Sequence, residues 1–192
     1  MRALPAAAVL AAVSLSPAAA QAPAAQPFDL FQRVCLSTAA DLGRVTASPD
    51  LKGWMNVPLP MDPKIENGRI LDKAVRVKHE GRDRLAIVFV ARGELTRDGR
   101  KIPFVNCSLG MKPADRAQAV SRIRAWSGVA PMDLPKGLTA FRWSEKNGVR
   151  TSVPTAKKVS DLADLPAGSR AASIDVKVER DTLLISYTIP KL

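Results

Sequence analysis

Few side chains in this sequence are equipped for covalent or acid–base chemistry. There are two cysteines, Cys35 and Cys107, and one histidine, His79. A structural zinc site takes four Cys or His ligands, usually in close pairs, so the ligand supply fails and no metal is expected. A redox Cys-x-x-Cys is absent. A thiol–imidazole pair with His79 would need a free thiol, and oxidation removes both. His79 also shares the strand phase of Val75 and Val77, the setting of a structural histidine. There is no Gly-x-Ser-x-Gly elbow. Gly137, Gly148 and Gly168 are isolated, as in turns, so no phosphate loop and no cofactor are expected. Among the 18 acidic residues, only Glu94 follows an apolar run that would raise a carboxyl pKa. The rest read as surface charge and turn chemistry.

The basic residues say more. The formal net charge is +11, which draws a protein towards anionic surfaces. Arg142, Lys146 and Arg150 surround Trp143, and an arginine beside an exposed aromatic can hold a wall sugar, a lipid headgroup or a base. Arg76 and Lys78 add cations on an earlier strand. These six residues form the candidate anionic-ligand surface. Against it, Trp143 shares strand phase with Phe141, which favours packing inside. Trp54 and Trp126 read as core. Arg97 and Arg100 flank one turn as like charges, which costs stability unless each is paired.

The elements that must position these groups follow from periodicity. Phe31, Val34, Cys35, Thr38 and Leu42 form one helical stripe. Asn56 to Gly68 holds three prolines and reads as a loop. Three strands follow as a meander: Ala74 to Glu80, Arg84 to Arg92, and a third after the hairpin signal Asp98-Gly99. That turn sets Val90 opposite Cys107 and Val88 opposite Leu109. Pro113 to Trp126 is a second helix with Ala119, Val120, Ile123 and Trp126 on its apolar side and Gly128 beyond its end. Two hairpins come last. One turns at Asn147-Gly148, setting Glu145 opposite Arg150. The other joins Ser173–Val178 to Leu183–Ile189, with Asp175 and Lys177 on a wet face. Lys157 to Arg170 is a polar connection. The fold class is α+β: antiparallel strands, a three-strand meander plus two hairpins, with two main helices packed on one side. Nothing alternates in the βαβ manner of nucleotide-binding sheets.

Residues 1–20 have the plan of a signal peptide: Met1-Arg2, the apolar stretch Leu4 to Leu15, then Ala18-Ala19-Ala20. Residues 21–27 are an Ala/Pro-rich flexible leader, and residues 28–192 form a single α+β domain. The apolar stretch is shorter than the roughly 20 residues that span a bilayer. No transmembrane segment remains after cleavage. A periplasmic or secreted location follows, where two thiols join as a disulfide between Cys35 and Cys107. The first helix would bring Cys35 over the face of the strand carrying Cys107.

Phe31-x-x-x-Cys35, Asp41, Gly53-Trp54 and the later Asn106-Cys107-Ser108-Leu109 resemble a group of small uncharacterised exported proteins of alphaproteobacteria. The resemblance implies the same compartment and disulfide, and no activity. The expected function is a non-enzymatic binding or accessory protein. Its partner would be an anionic envelope component (lipopolysaccharide, phospholipid or wall polymer) or an acidic protein, with nucleic acid less favoured. The alternative is a small periplasmic hydrolase using a carboxylate site.

Overall fold

The computed structural model describes residues 26–59, 65, 67–79, 84–165 and 168–191. The expected signal peptide (residues 1–20), residues 21–25 of the expected leader, and the expected turn Gly81-Arg82-Asp83 lie outside the described residues.

Among the described residues, nine strands form one antiparallel sheet. They are β1 (Met55–Asn56), β2 (Gly68–His79), β3 (Leu85–Arg97), β4 (Arg100–Met111), β5 (Met132–Leu134), β6 (Leu138–Lys146), β7 (Val149–Ser152), β8 (Arg170–Glu179) and β9 (Thr182–Pro190). The spatial order is β1-β2-β3-β4-β9-β8-β6-β5, with β7 also pairing β6. The helical elements are α1 (Pro27–Phe31), a one-turn π segment (Gln32–Leu36), α2 (Leu42–Thr46) and α3 (Arg116–Ser127). The molecule is therefore α+β, as the sequence implies.

Turn chemistry sets the registers. Asp98 and Gly99 adopt positive φ, as do Asn147 and Gly148, and such turns match the twist of antiparallel strands. Val90 pairs with Cys107, Val88 with Leu109, and Glu145 with Arg150. The strand period then sorts side chains onto two faces. On the front, Val90, Cys107, Tyr187, Ile174 and Phe141 make one row across five strands. Phe28, Phe31 and Val34 of the first helical stretch and Ala119 and Ile123 of α3 pack on this face and complete the main core. Both main helical stretches thus lie on one side of the sheet. Cys35, in the π segment, reaches down to Cys107 and is bonded to it. The first stripe is not one continuous helix. It breaks at Ala39 and Ala40, which have positive φ, and restarts at Leu42 with Asp41 as its cap.

The back face is mixed. Leu95, Ile102 and Phe104 form a second apolar cluster near β2 and the 3-10 turn Val159–Asp164. Towards β8, Ala156 and Leu162 pack on Ala171. The connection after β7 therefore runs across the back of the sheet instead of standing free in solvent. It also supplies the carboxylates that Arg97 needs: Asp161 at 2.9 Å and Asp164 at 2.6 Å. Arg100 lies 3.6 Å from Asp164, so both like charges of that turn are compensated.

Three details depart from expectation. β2 begins at Gly68, six residues before Ala74, and β1 and β5 fall where no strand is apparent in the sequence. β2 also carries a bulge at Leu71, between the pairs Ile70–Gly93 and Asp72–Arg92. Finally, the face of β8 carrying Asp175 is not wet along its length. Ser173 is buried and Asp175 is half-buried.

Candidate functional site

The six residues of the expected anionic-ligand surface do not converge. Arg142 and Trp143 are adjacent in β6, so the pleat sends them to opposite faces. Both are buried, each at 2% exposure, and an exposed Arg–Trp surface is not formed. Trp143 stacks on Tyr187 with centroids 6.2 Å apart and meets Trp126 edge-on. Arg142 enters the back face, where it donates to Asp175 at 2.5 Å and to Ser173. Burial pushes the Asp175 carboxyl above the usual carboxylate range, and the Arg142 guanidinium draws it partly back. Arg150 lies on the front, its guanidinium 4.1 Å from the Trp126 ring centroid, and it pairs with Glu145 at 3.3 Å. Its flat side and its Nε edge are thus engaged. Burial raises the Tyr187 hydroxyl pKa beside this cluster, against the pull of Arg170 and Arg150. Lys146 is exposed beside the hairpin turn. Arg76 sits at the far edge of the sheet and donates to Asn56.

Lys78 is the exception, because it borders a cleft. This cleft has a volume of about 480 Å3 and opens where the first helical stretch, the ends of β2 to β4 and the start of α3 meet. Its cations are Arg33, Lys78, Arg84 and Lys112; its carboxylates are Asp50 and Asp115. Both carboxylates are committed. Asp50 pairs with Arg33 at 2.9 Å, and Asp115 caps α3 by accepting from the Gln118 N–H. Arg84 and Lys112 have no side-chain partner among the described residues. Leu30, Trp54, Leu85 and Met111 supply an apolar wall. The cleft therefore pairs uncompensated positive charge with hydrocarbon, the complement of an amphiphilic anion.

Two of these residues were invisible as a site in the sequence. Arg84 and Lys112 stand 28 positions apart, yet Leu85 accepts a hydrogen bond from the Lys112 N–H at 2.9 Å, which brings them to one end of the sheet. The β3–β4 register was the available signal: counting outward from Asp98-Gly99 sets the strand start beside the strand end.

Glu94 pairs with Arg69 at 2.8 Å and lies 3.9 Å from Lys101, so its surroundings are cationic rather than apolar. Among the described residues, no three His, Cys, Asp or Glu side chains gather closely enough to hold a metal. No described helix is long and apolar enough to cross a membrane. Comparison with protein-family models, curated proteins and solved structures finds no match for this chain.

Proposed function

We propose that the protein is an exported, non-enzymatic binding protein for an anionic lipid component of the cell envelope, held by its headgroup in the cleft between the first helical stretch and α3. One observation carries this reading: Arg84 and Lys112, without side-chain partners among the described residues, border an apolar wall containing Trp54. A phosphate-bearing headgroup would neutralise the two cations, while the adjoining acyl region would cover Leu30 and Met111. The overall charge of +11 supports the same partner class, because it raises the local concentration of anions. The leader-like residues 1–20 and the disulfide support a periplasmic location.

The test is binding to phosphatidylglycerol vesicles against phosphatidylcholine vesicles, across a range of salt. Binding to the anionic vesicles alone, weakening as salt rises, is expected. Near an anionic surface each cation contributes about 1 kcal/mol. The double variant Arg84→Glu/Lys112→Glu should therefore bind at least about tenfold more weakly. The control Lys146→Glu/Lys191→Glu, which changes the same charge at exposed positions on the opposite end of the sheet, should lose clearly less. Equal losses in the two double variants would reduce the interaction to net charge and remove the cleft from it.

A further inference from the structure

We propose a second binding site, at the opposite end of the sheet from the cleft, for the carboxylate of a small organic acid. The site is a pocket of about 180 Å3 on the front face. That is about six times the share of liquid volume taken by one water, so only a small molecule fits. Strand pairing builds it. Arg150, Glu145 and Arg170 stand opposite one another on β7, β6 and β8, and two residues along Trp143 stands opposite Ala172. Ala172 ends at its β-carbon, so Trp143 and Tyr187, on the strands to either side, lean together over β8 and stack. Leu36 and Ala39, at the end of the first helical stretch, complete the lining.

Two donors in this lining have no partner. Tyr187 is 8% exposed, yet its hydroxyl makes no hydrogen bond with any described residue. The hydroxyl stands among the charges of Arg170, Arg150 and Glu145, which line the same pocket, so it faces that space. No Asn, Gln or His lines the pocket, so no reoriented amide or ring supplies the missing partner. Burial raises the hydroxyl pKa, which keeps the proton on and the group a donor. A nearly buried donor without a partner is costly, and an acceptor relieves it. The second donor is Arg170, exposed and without a carboxylate partner among the described residues. Charge decides the rest. Arg150 and Glu145 pair at 3.3 Å and cancel, which leaves the single positive charge of Arg170. A monoanion balances it, whereas a dianion would set its second charge beside Glu145. A carboxylate meets both demands: one negative charge, and two oxygens that accept from Tyr187 and Arg170. Leu36 and Ile189 give the body of the acid an apolar contact.

The experiment is titration of the full chain with benzoate near neutral pH, followed by NMR through the indole N–H signals of the three tryptophans. Benzamide and phenyl phosphate serve as comparisons. Saturable shifts are expected at Trp126 and Trp143, which line the pocket, and none at Trp54, which lines the cleft. Benzamide has the shape without the charge, and phenyl phosphate carries a second charge. Both should bind at least about fivefold more weakly than benzoate. Tyr187→Phe removes one oxygen and should weaken benzoate about tenfold, the effect of a hydrogen bond to a charged group. Its urea midpoint should not change, because that oxygen has no protein partner among the described residues. Arg170→Gln should weaken benzoate about threefold to fivefold, the effect of a solvent-exposed ion pair. Arg84→Glu/Lys112→Glu, at the other end of the sheet, should leave benzoate affinity within about twofold. No saturable shift, shifts confined to Trp54, benzamide binding as tightly as benzoate, or undiminished benzoate affinity in Tyr187→Phe would each overturn the proposal. None of these results touches the cationic cleft, so the two sites stand or fall separately.

Discussion

Burial holds the Asp175 carboxyl above its ordinary range, and this gives stability a defined pH dependence. A raised folded-state pKa means that the folded chain binds this proton more tightly than the unfolded chain does. Its contribution is complete below the unfolded carboxylate pKa and is lost as pH rises through the folded value. Urea denaturation between about pH 3 and pH 8 should therefore show the wild type losing stability relative to Asp175→Asn as pH rises. Arg142→Met removes the charge that lowers this pKa, so its loss over the same interval should be steeper. A parallel course for wild type and Asp175→Asn would remove Asp175 as the source. At Gly93 the issue is space. A β-carbon there would lie 2.7 Å from the Phe104 ring and would also strike the Arg69 carbonyl. Gly93→Ala should cost about 1–3 kcal/mol, read as a lower urea midpoint. Single residues were legible only where local rules bind them. Phe141 showed that Trp143 packs inward, and its neighbour Arg142 then had to take the other face. That this other face is buried depends on a segment that arrives from the far side of a hairpin, and no local pattern around Arg142 announces it.

Among the elements, hairpins with strong turn residues were readable because a two-residue turn fixes every pair behind it. This explains why Val90–Cys107 and Glu145–Arg150 follow from the sequence. β1 and β5 were not readable: strands of two and three residues have no period, and their existence depends on the edges they cover. The connection after β7 was opaque for a related reason. Its charges suggest solvent, but Leu162 is fully buried and Arg97 draws Asp161 and Asp164 onto the sheet. The cationic cleft inherits this limit, since its walls come from five separate stretches of chain. α3 offers a direct check at this scale. Asp115 accepts from the Gln118 N–H at 2.9 Å, and Gly128, with φ of 68°, closes the other end. Asp115→Ala should cost about 1 kcal/mol in thermal or urea unfolding. It also removes a carboxylate from the cleft, so binding to anionic vesicles should strengthen while stability falls. Opposite signs in the two measurements would distinguish the charge effect from loosening of the helix.

At the scale of the molecule, the disulfide ties the first helical stretch to the fourth strand. It spans 72 positions, and loop closure of that length restricts the unfolded chain by roughly 4 kcal/mol. Cys35→Ala/Cys107→Ala, or reduction by a thiol, should lower stability by about that amount, measured as the difference in unfolding free energy. The sheet itself is assembled from two parts, β1 to β4 and β5 to β9, and they meet at β4 and β9. The α+β class and the placement of helices on one side were legible because antiparallel hairpins dominate. The joining of both parts into one sheet was not, because the β4–β9 pair spans the longest sequence interval of any strand pairing.

That late pairing decides what the chain must wait for. The closing seam between the two halves is laid by the most C-terminal described strand, so a chain folding from its N-terminus can settle its early hairpins and its sulfur–sulfur link while the middle of the sheet still gapes. Until Thr182–Pro190 slides between its two neighbours, the inner edges of both halves stay sticky, and any helper that guards an immature chain would find its target along them.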